Sequence, residues 1–189
     1  VIFITAFDAV RILKAIPQLE PTQFLNPYPA EIDSIYPAFK LRNKDYLLGL
    51  DSKDGSMKDC KFLVNVGHTR ICGIYDSRPM PCRTYPFTLN YSKLETVETY
   101  VCPKQWWPEG KEREEYIQNI NQLNKELKEY EKIVEIWNRN FSERGSFVGF
   151  LNFIFGEVEN QRNESDSHSS RISYNKTLSH VLNINGVKI

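Results

Sequence analysis

All four cysteines of this chain lie between residues 60 and 102, and this clustering constrains the fold more than any other feature of the sequence. Arginine, glycine and proline residues surround them. Thiolates are soft ligands, and a set of four suits zinc or an iron–sulfur cluster. We therefore predict that one metal ion or cluster is held by four thiolates, those of Cys60, Cys72, Cys82 and Cys102.

Four cysteines also fit two disulfide bonds, as in small secreted domains. At 189 residues, however, the chain is long enough to bury a core without such crosslinks. The segment that begins at Val1 lacks the charged region of a signal peptide. We therefore favour free thiols and expect a cytoplasmic protein. The spacing of the cysteines contains no C-x-x-C pair, so it is not that of a zinc finger.

Two arginines, Arg78 and Arg83, flank Cys82 and are the expected neighbours of the ligand thiolates. Because a four-thiolate site is negatively charged, arginines beside it would offset that charge and donate to sulfur. The alternative is that each pairs with a surface carboxylate. Gly73 would let the ligand loop adopt a positive φ, and His68 is a candidate fifth ligand, although a lone loop histidine is more often simply solvated.

The charge balance excludes some partners. The chain has 24 Lys and Arg residues against 24 Asp and Glu residues, so its net charge is zero. A nucleic-acid-binding domain would show a basic excess or stripe. No stretch approaches the ~18 apolar residues of a membrane-spanning helix. We therefore predict neither a nucleic-acid partner nor a membrane span.

The first half of the chain reads as a mixture of helix and strand. Thr5 and Asp8 form a capping box for a helix that Pro17 ends. A short helix is expected near 21–25, and residues 26–45 are predicted to be an irregular connection. Residues 45–50 form a strand candidate.

Two hairpins are predicted around the cysteines. The Asp54-Gly55 turn should connect residues 45–50 to a second strand over 60–64, which would place Cys60 at a sheet edge. Residues 84–91 and 94–101 form a second extended pair.

Apolar residues then recur every three or four positions, which predicts one long helix over about 110–144, roughly 50 Å long. Gly145 would end it. Its apolar seam is expected to pack on the cysteine region, and a dimeric coiled coil is the alternative. The seam residues are Tyr116, Ile120, Leu123, Leu127, Tyr130, Val134, Trp137 and Phe141.

These elements predict an α+β fold in which a small cysteine-rich domain, built of irregular loops and a few short strands, is followed by a long helix. We assign residues 1–108 to the metal-binding cysteine-cluster domain. Residues 109–156 form a helical segment packed on it, with Phe147–Phe155 in the core. Residues 157–189 are polar and are predicted to be a flexible tail.

Three short sequence motifs resemble those of the YkgJ-type cysteine-cluster family. They are Cys60-Lys-Phe-Leu, Cys72-Gly-Ile-Tyr followed by Arg78-Pro, and Cys82-Arg-Thr-Tyr-Pro-Phe, with Cys102 after them. The resemblance covers about residues 1–108. It implies a zinc- or iron-chelating domain, which the flagellin lysine N-methylase proteins share.

The chain departs from this family in one respect. The family usually has a C-x-x-x-C-x-x-C-C cluster ahead of the segment that resembles Val1 to Ile12. We therefore expect the chain to be a fragment whose missing upstream cysteines would complete the site. The identity of the metal would depend on them.

The leading functional hypothesis is a metal-binding cysteine-cluster protein with zinc or an iron–sulfur centre. One alternative is an enzyme, either an iron–sulfur oxidoreductase or a relative of S-adenosylmethionine-dependent lysine N-methylases, although no G-x-G-x-x-G loop is present. Another is an interaction module with a purely structural metal, which would bind a protein partner through the long helix and Trp106-Trp107. The residues do not decide whether the chain is an enzyme.

Overall fold

The computed structural model describes residues 1–30, 34–53, 59–91, 93–97 and 107–166, with the backbone alone for 161–166. Within these ranges the fold is mixed α+β, with small antiparallel sheets and one long helix, and this confirms the predicted class. None of the helices in these ranges has both the length and the apolar character needed to cross a membrane.

In the described ranges the strands form three separate sheets. The first sheet has the order β1-β3-β2, and the other two are the hairpins β4–β5 and β6–β7. The strands are β1 (Leu25–Pro29), β2 (Phe39–Leu41), β3 (Lys44–Leu50), β4 (Leu63–Val66), β5 (Thr69–Cys72), β6 (Phe87–Asn90) and β7 (Lys93–Thr96). The α-helices are α1 (Ala6–Ala15), α2 (Met80–Thr84), α3 (Gly110–Phe141) and α4 (Phe147–Asp166).

Helix α1 begins as its capping box predicts. The backbone N–H of Thr5 donates to Asp8 Oδ2 at 3.0 Å, and the N–H of Asp8 donates to Thr5 Oγ1 at 3.4 Å. Both residues are fully buried. This cap therefore lies inside the protein, where its polar groups need partners.

The expectation of an irregular connection over 26–45 is wrong, because β1 and β2 both fall in this range and pair with β3 on opposite edges. Pro27 and Pro29 argued against a strand, but β1 is an edge strand, where proline is tolerated. The helix expected near 21–25 is a single 3₁₀ turn, Pro21–Gln23.

The predicted pairing of Cys60 across the Asp54-Gly55 turn is present in part, because Ser52 and Cys60 form an antiparallel bridge and the Lys53 N–H donates to Asp59 O at 3.0 Å. The bounds of the predicted strand over 60–64 are wrong, since β4 begins at Leu63 and turns back into β5 at Gly67, which has a φ of 60°. The Asp54-Gly55 turn lies outside the described residues. The second predicted pair is present as β6 and β7, although residues 98–101 lie outside the described part.

The apolar seam of α3 packs within the chain, as predicted. Phe141, the last residue of the predicted seam, is 44 % exposed. Five other predicted seam residues are buried, namely Ile120, Leu123, Tyr130, Val134 and Trp137. The main core joins α1, β3, α3 and α4, so the cysteine region and the helices share one core. Phe39 of β2 and Phe150 of α4 stack at its centre with ring centroids 3.7 Å apart.

The ends of the two long helices differ from the prediction. Helix α3 ends at Phe141, three residues earlier than expected, and Gly145 is required for a different reason. A Cβ at Gly145 would overlap the Trp137 ring. Helix α4 continues to Asp166, so the tail predicted from residue 157 starts inside a helix. Residues 167–189 lie outside the described residues.

The stacked Phe39–Phe150 pair provides a test of the core. We predict that Phe150→Ala lowers the free energy of unfolding by about 3–5 kcal/mol, because it leaves a cavity between α4 and β2. Tyr91→Ala is the control, since Tyr91 is fully exposed and its replacement should change stability by less than about 0.5 kcal/mol. Urea denaturation measures both, and equal losses would contradict this description of the core.

Candidate metal centre

Cys60 and Cys72 lie together at the open end of the β4–β5 hairpin. Cys72 ends β5 and pairs with Leu63, whose N–H donates to the Cys60 carbonyl at 2.9 Å. The N–H of Gly73 donates to Phe62 O at 2.8 Å and closes this end. The hairpin therefore brings together two cysteines that are twelve positions apart in the sequence, close enough for the charge of Cys72 to affect the pKa of Cys60.

Gly73 is important here because of space rather than backbone angle. The prediction of a positive φ is wrong, since the positive-φ glycines of the described chain are Gly67 and Gly110. A Cβ at Gly73 would lie 3.1 Å from Phe62 O and 3.3 Å from Val64 Cγ1. A larger residue would therefore push the chain after Cys72 away from the hairpin.

Cys82 comes from a different element, the five-residue helix α2. The first N–H of this helix, from Met80, donates to the buried Asp8 Oδ1 at 2.7 Å. The N–H of Cys82 itself donates to Pro79 O at 3.0 Å. Helix α2 thus places Cys82 next to the start of α1.

The three thiols are free and half-buried, and two of them, Cys60 and Cys82, have raised pKa values. Burial is the largest cause that raises the pKa of the Cys82 thiol from 9.0 to about 12, and the neighbouring Cys60, Asp8 and Cys72 add to the rise. Burial also raises the pKa of Cys60, with a further contribution from Cys72, while the backbone N–H of Phe62 opposes it. The disulfide alternative is therefore wrong for these three cysteines.

Of the two arginines expected near the thiols, Arg78 is the one whose charge reaches Cys82. Its positive charge lowers the pKa of Cys82, against the larger effect of burial, and its guanidinium lies 4.1 Å from the centre of the Tyr75 ring. Arg83 instead donates to the backbone carbonyls of Arg78 and Asp76. Arg83 therefore fixes the turn before α2, and the observed contacts do not bring it to sulfur.

The candidate ligand His68 and a further arginine of the β4–β5 hairpin, Arg70, both lie at the surface. His68 is exposed in the turn between β4 and β5, at the opposite end of the hairpin from Cys60 and Cys72. Arg70 pairs with Asp59 at 3.0 Å, as the surface-pairing alternative expects of an arginine. The position of His68 gives no support to a role as fifth ligand.

A cavity of about 160 Å³ lies beside Cys60. Backbone pairing of residues 2–4 with the end of β3 brings the start of the chain to it. Its lining residues are Val1, Ile2, Tyr28, Leu50, Asp51, Ser52, Asp59 and Cys60. Val1 and Cys60 therefore line the same cavity.

The described side chains do not by themselves form a closed ligand set. In the ranges that the structure covers, no three His, Cys, Asp or Glu residues are arranged so that they could hold a metal ion together. Cys102 and Trp106 lie outside the described residues. The donor chemistry thus fits a soft metal, whereas the observed spacing of the three thiols does not yet make a coordination shell.

Sequence reasoning missed a polar network beside Cys82. Arg11 bridges Asp8 of α1 to Glu126 of α3, and Tyr36 lies close enough to Asp8 and Cys82 for both to add to the effect of burial, which raises its pKa. Glu126 is 3 % exposed. The available signal was its position, three residues after Leu123 and four before Tyr130, at the edge of the apolar seam.

Comparison of the chain with known protein families, curated proteins and solved structures finds no match. Membership of the YkgJ-type cysteine-cluster family therefore stays a prediction, and it rests on the three sequence motifs around Cys60, Cys72 and Cys82.

The raised pKa of Cys82 predicts how this thiol reacts. Since the thiolate is the reactive form, its alkylation rate should still be rising at about pH 10, because the pKa of about 12 lies higher. Mass spectrometry of iodoacetamide-labelled peptides measures this rate. In denaturant the same thiol should level off near its ordinary pKa of 9.0, and the same levelling in the folded protein would contradict the assignment. The folded state holds the Cys82 proton more tightly than the unfolded state does. The contribution of this thiol to the free energy of unfolding is therefore lost as the pH rises from 9.0 towards 12.

Proposed function

We propose that this chain binds a metal, as zinc or an iron–sulfur centre, through the thiolates of Cys60, Cys72 and Cys82, with Cys102 as the fourth ligand. One observation carries the proposal. The fold takes three cysteines from three different places, a bridge after β3, the end of β5 and helix α2, and brings them close enough for their charges to interact.

The electrostatics of the three thiols support a cation as their partner. A thiolate at Cys72 disfavours ionisation of Cys60 and of Cys82, a thiolate at Cys60 disfavours that of Cys82, and the Asp8 carboxylate adds a further negative charge near Cys82. A bound metal replaces the thiol protons and neutralises this charge. Arg78 contributes positive charge from the protein itself. The arrangement is unfavourable for thiolates alone and becomes favourable with a metal between them.

The proposal requires the thiols to move closer together when the metal binds. Cys72 and Cys82 belong to short elements, a four-residue strand and a five-residue helix. Such short elements have little stability of their own. Metal binding would therefore be coupled to local ordering of this region, and the metal would act as a crosslink between the hairpin and α2.

Metal titration tests the proposal. We predict that the reduced protein binds Co²⁺ with a thiolate-to-metal charge-transfer band and that Zn²⁺ displaces it. Cys72→Ser and Cys82→Ser should each weaken binding by more than about tenfold, because each removes a soft ligand. His68→Ala is the matched control and should bind as the unmodified chain does, since His68 is exposed at the far end of the hairpin.

The same experiment separates zinc from iron. Anaerobic reconstitution with iron and sulfide that gives a broad visible band would identify a cluster, whereas zinc alone gives no visible absorption. If neither zinc nor an iron–sulfur cluster binds, and the free thiols titrate in the presence of metal as they do without it, the proposed function is wrong. The enzymatic alternatives and the interaction module stay predictions.

A further inference from the structure

A buried carboxylate, that of Asp8, joins three helices around Cys82. Asp8 is fully buried. Its Oδ2 accepts hydrogen bonds from the N–H and hydroxyl of Thr5 at 3.0 and 3.1 Å. Its Oδ1 accepts from Met80 N–H at 2.7 Å and from the Arg11 guanidinium. One side chain thus caps α1 from inside and also holds the first N–H of α2.

Arg11 extends this network to helix α3. Its two terminal nitrogens donate to the two carboxylate oxygens of Glu126, each at 2.7 Å. Gln122 also donates to Glu126 Oε1, at 2.8 Å. Such a forked pair fixes both distance and orientation. Arg11, which is bonded to both Glu126 and Asp8, therefore fixes the position of α3 relative to Asp8.

Helix α2 depends on Asp8 because it lacks a cap of its own. Its N-cap residue is Pro79, whose side chain forms no capping hydrogen bond. The first N–H groups of a helix need acceptors, and a helix of five residues is too short to be stable alone. Asp8 supplies the missing acceptor from another element, two residues before Cys82.

We propose that Asp8 is a positioning residue for Cys82, and that Arg11 and Glu126 couple this position to helix α3. The consequence for metal affinity rests on the proposed function. Since coupling between two events is reciprocal, a metal held by Cys82 would stabilise the docking of α3, and weaker docking of α3 would weaken metal binding.

The first test needs no metal. We predict that Asp8→Asn and Glu126→Gln each speed the alkylation of Cys82 in the metal-free protein, relative to Cys60 and Cys72 in the same molecule. Asp8→Asn places an amide donor in a site lined by donors, whereas Glu126→Gln keeps the shape of the side chain and removes the negative charge opposite Arg11. Glu131→Gln, an exposed change on the same helix, should leave all three rates unchanged.

The second test measures Co²⁺ affinity in the same variants. Asp8→Asn should lower affinity by about 10- to 100-fold, as is typical when a residue that orients a ligand is lost. Glu126→Gln, one contact further away, should lower it by less than about tenfold. The Co²⁺ spectrum of Asp8→Asn should also show a weaker thiolate band, which a purely structural role would not change.

The outcomes separate this proposal from the proposed function. A rate increase confined to Cys82 in Glu126→Gln supports positioning. Asp8→Asn alone does not, because the Asp8 charge itself raises the pKa of Cys82 and its removal would speed alkylation without any movement. An equal increase at all three thiols, or none, overturns it. If the unmodified chain binds no metal, the proposed function fails while the labelling still decides the role of Asp8. If it binds metal and the variants bind equally well, the coupling to α3 is wrong.

Discussion

The buried carboxylate of Asp8 is the interaction on which the position of the candidate site depends. A charge without contact to water is costly unless it is paired and hydrogen-bonded. Asp8 meets that requirement with groups from α1, from the start of α2 and, through Arg11, from α3. Because all of these groups must be present together, the capping of the first helix, the placement of Cys82 and the docking of the long helix form one linked arrangement.

The cysteine region is built from short elements that pack against the main core. The β4–β5 hairpin has mostly exposed side chains, and Cys60, Phe62 and Cys72 are its partly buried contacts with the main core. The three thiols are therefore held at the border between the core and the surface. There, burial raises the pKa of Cys60 and Cys82, and a cavity of about 160 Å³ lies beside Cys60.

Local patterns predicted the parts of this fold that local contacts determine. The Thr5–Asp8 capping box, strand β3 and the seam of α3 follow from residues close in sequence. Strand β1 was missed because its prolines are acceptable only at a sheet edge. The pairing of Glu126 with Arg11 was missed because the two residues lie 115 positions apart, and no periodic pattern records such a pair. Likewise, the sequence predicted a shared role for the four cysteines, but the closeness of Cys60 and Cys72 comes from a hairpin turn at Gly67 that the sequence did not reveal.

X-ray absorption spectroscopy of the metal-loaded chain tests the central claim most directly, because it identifies the atoms bound to the metal. If the clustered cysteines are ligands, the first coordination shell contains three or four sulfur atoms, at about 2.3 Å for zinc. Replacement of Cys82 by serine should then remove one of them. A first shell made only of oxygen and nitrogen atoms at about 2.0–2.1 Å would contradict the account.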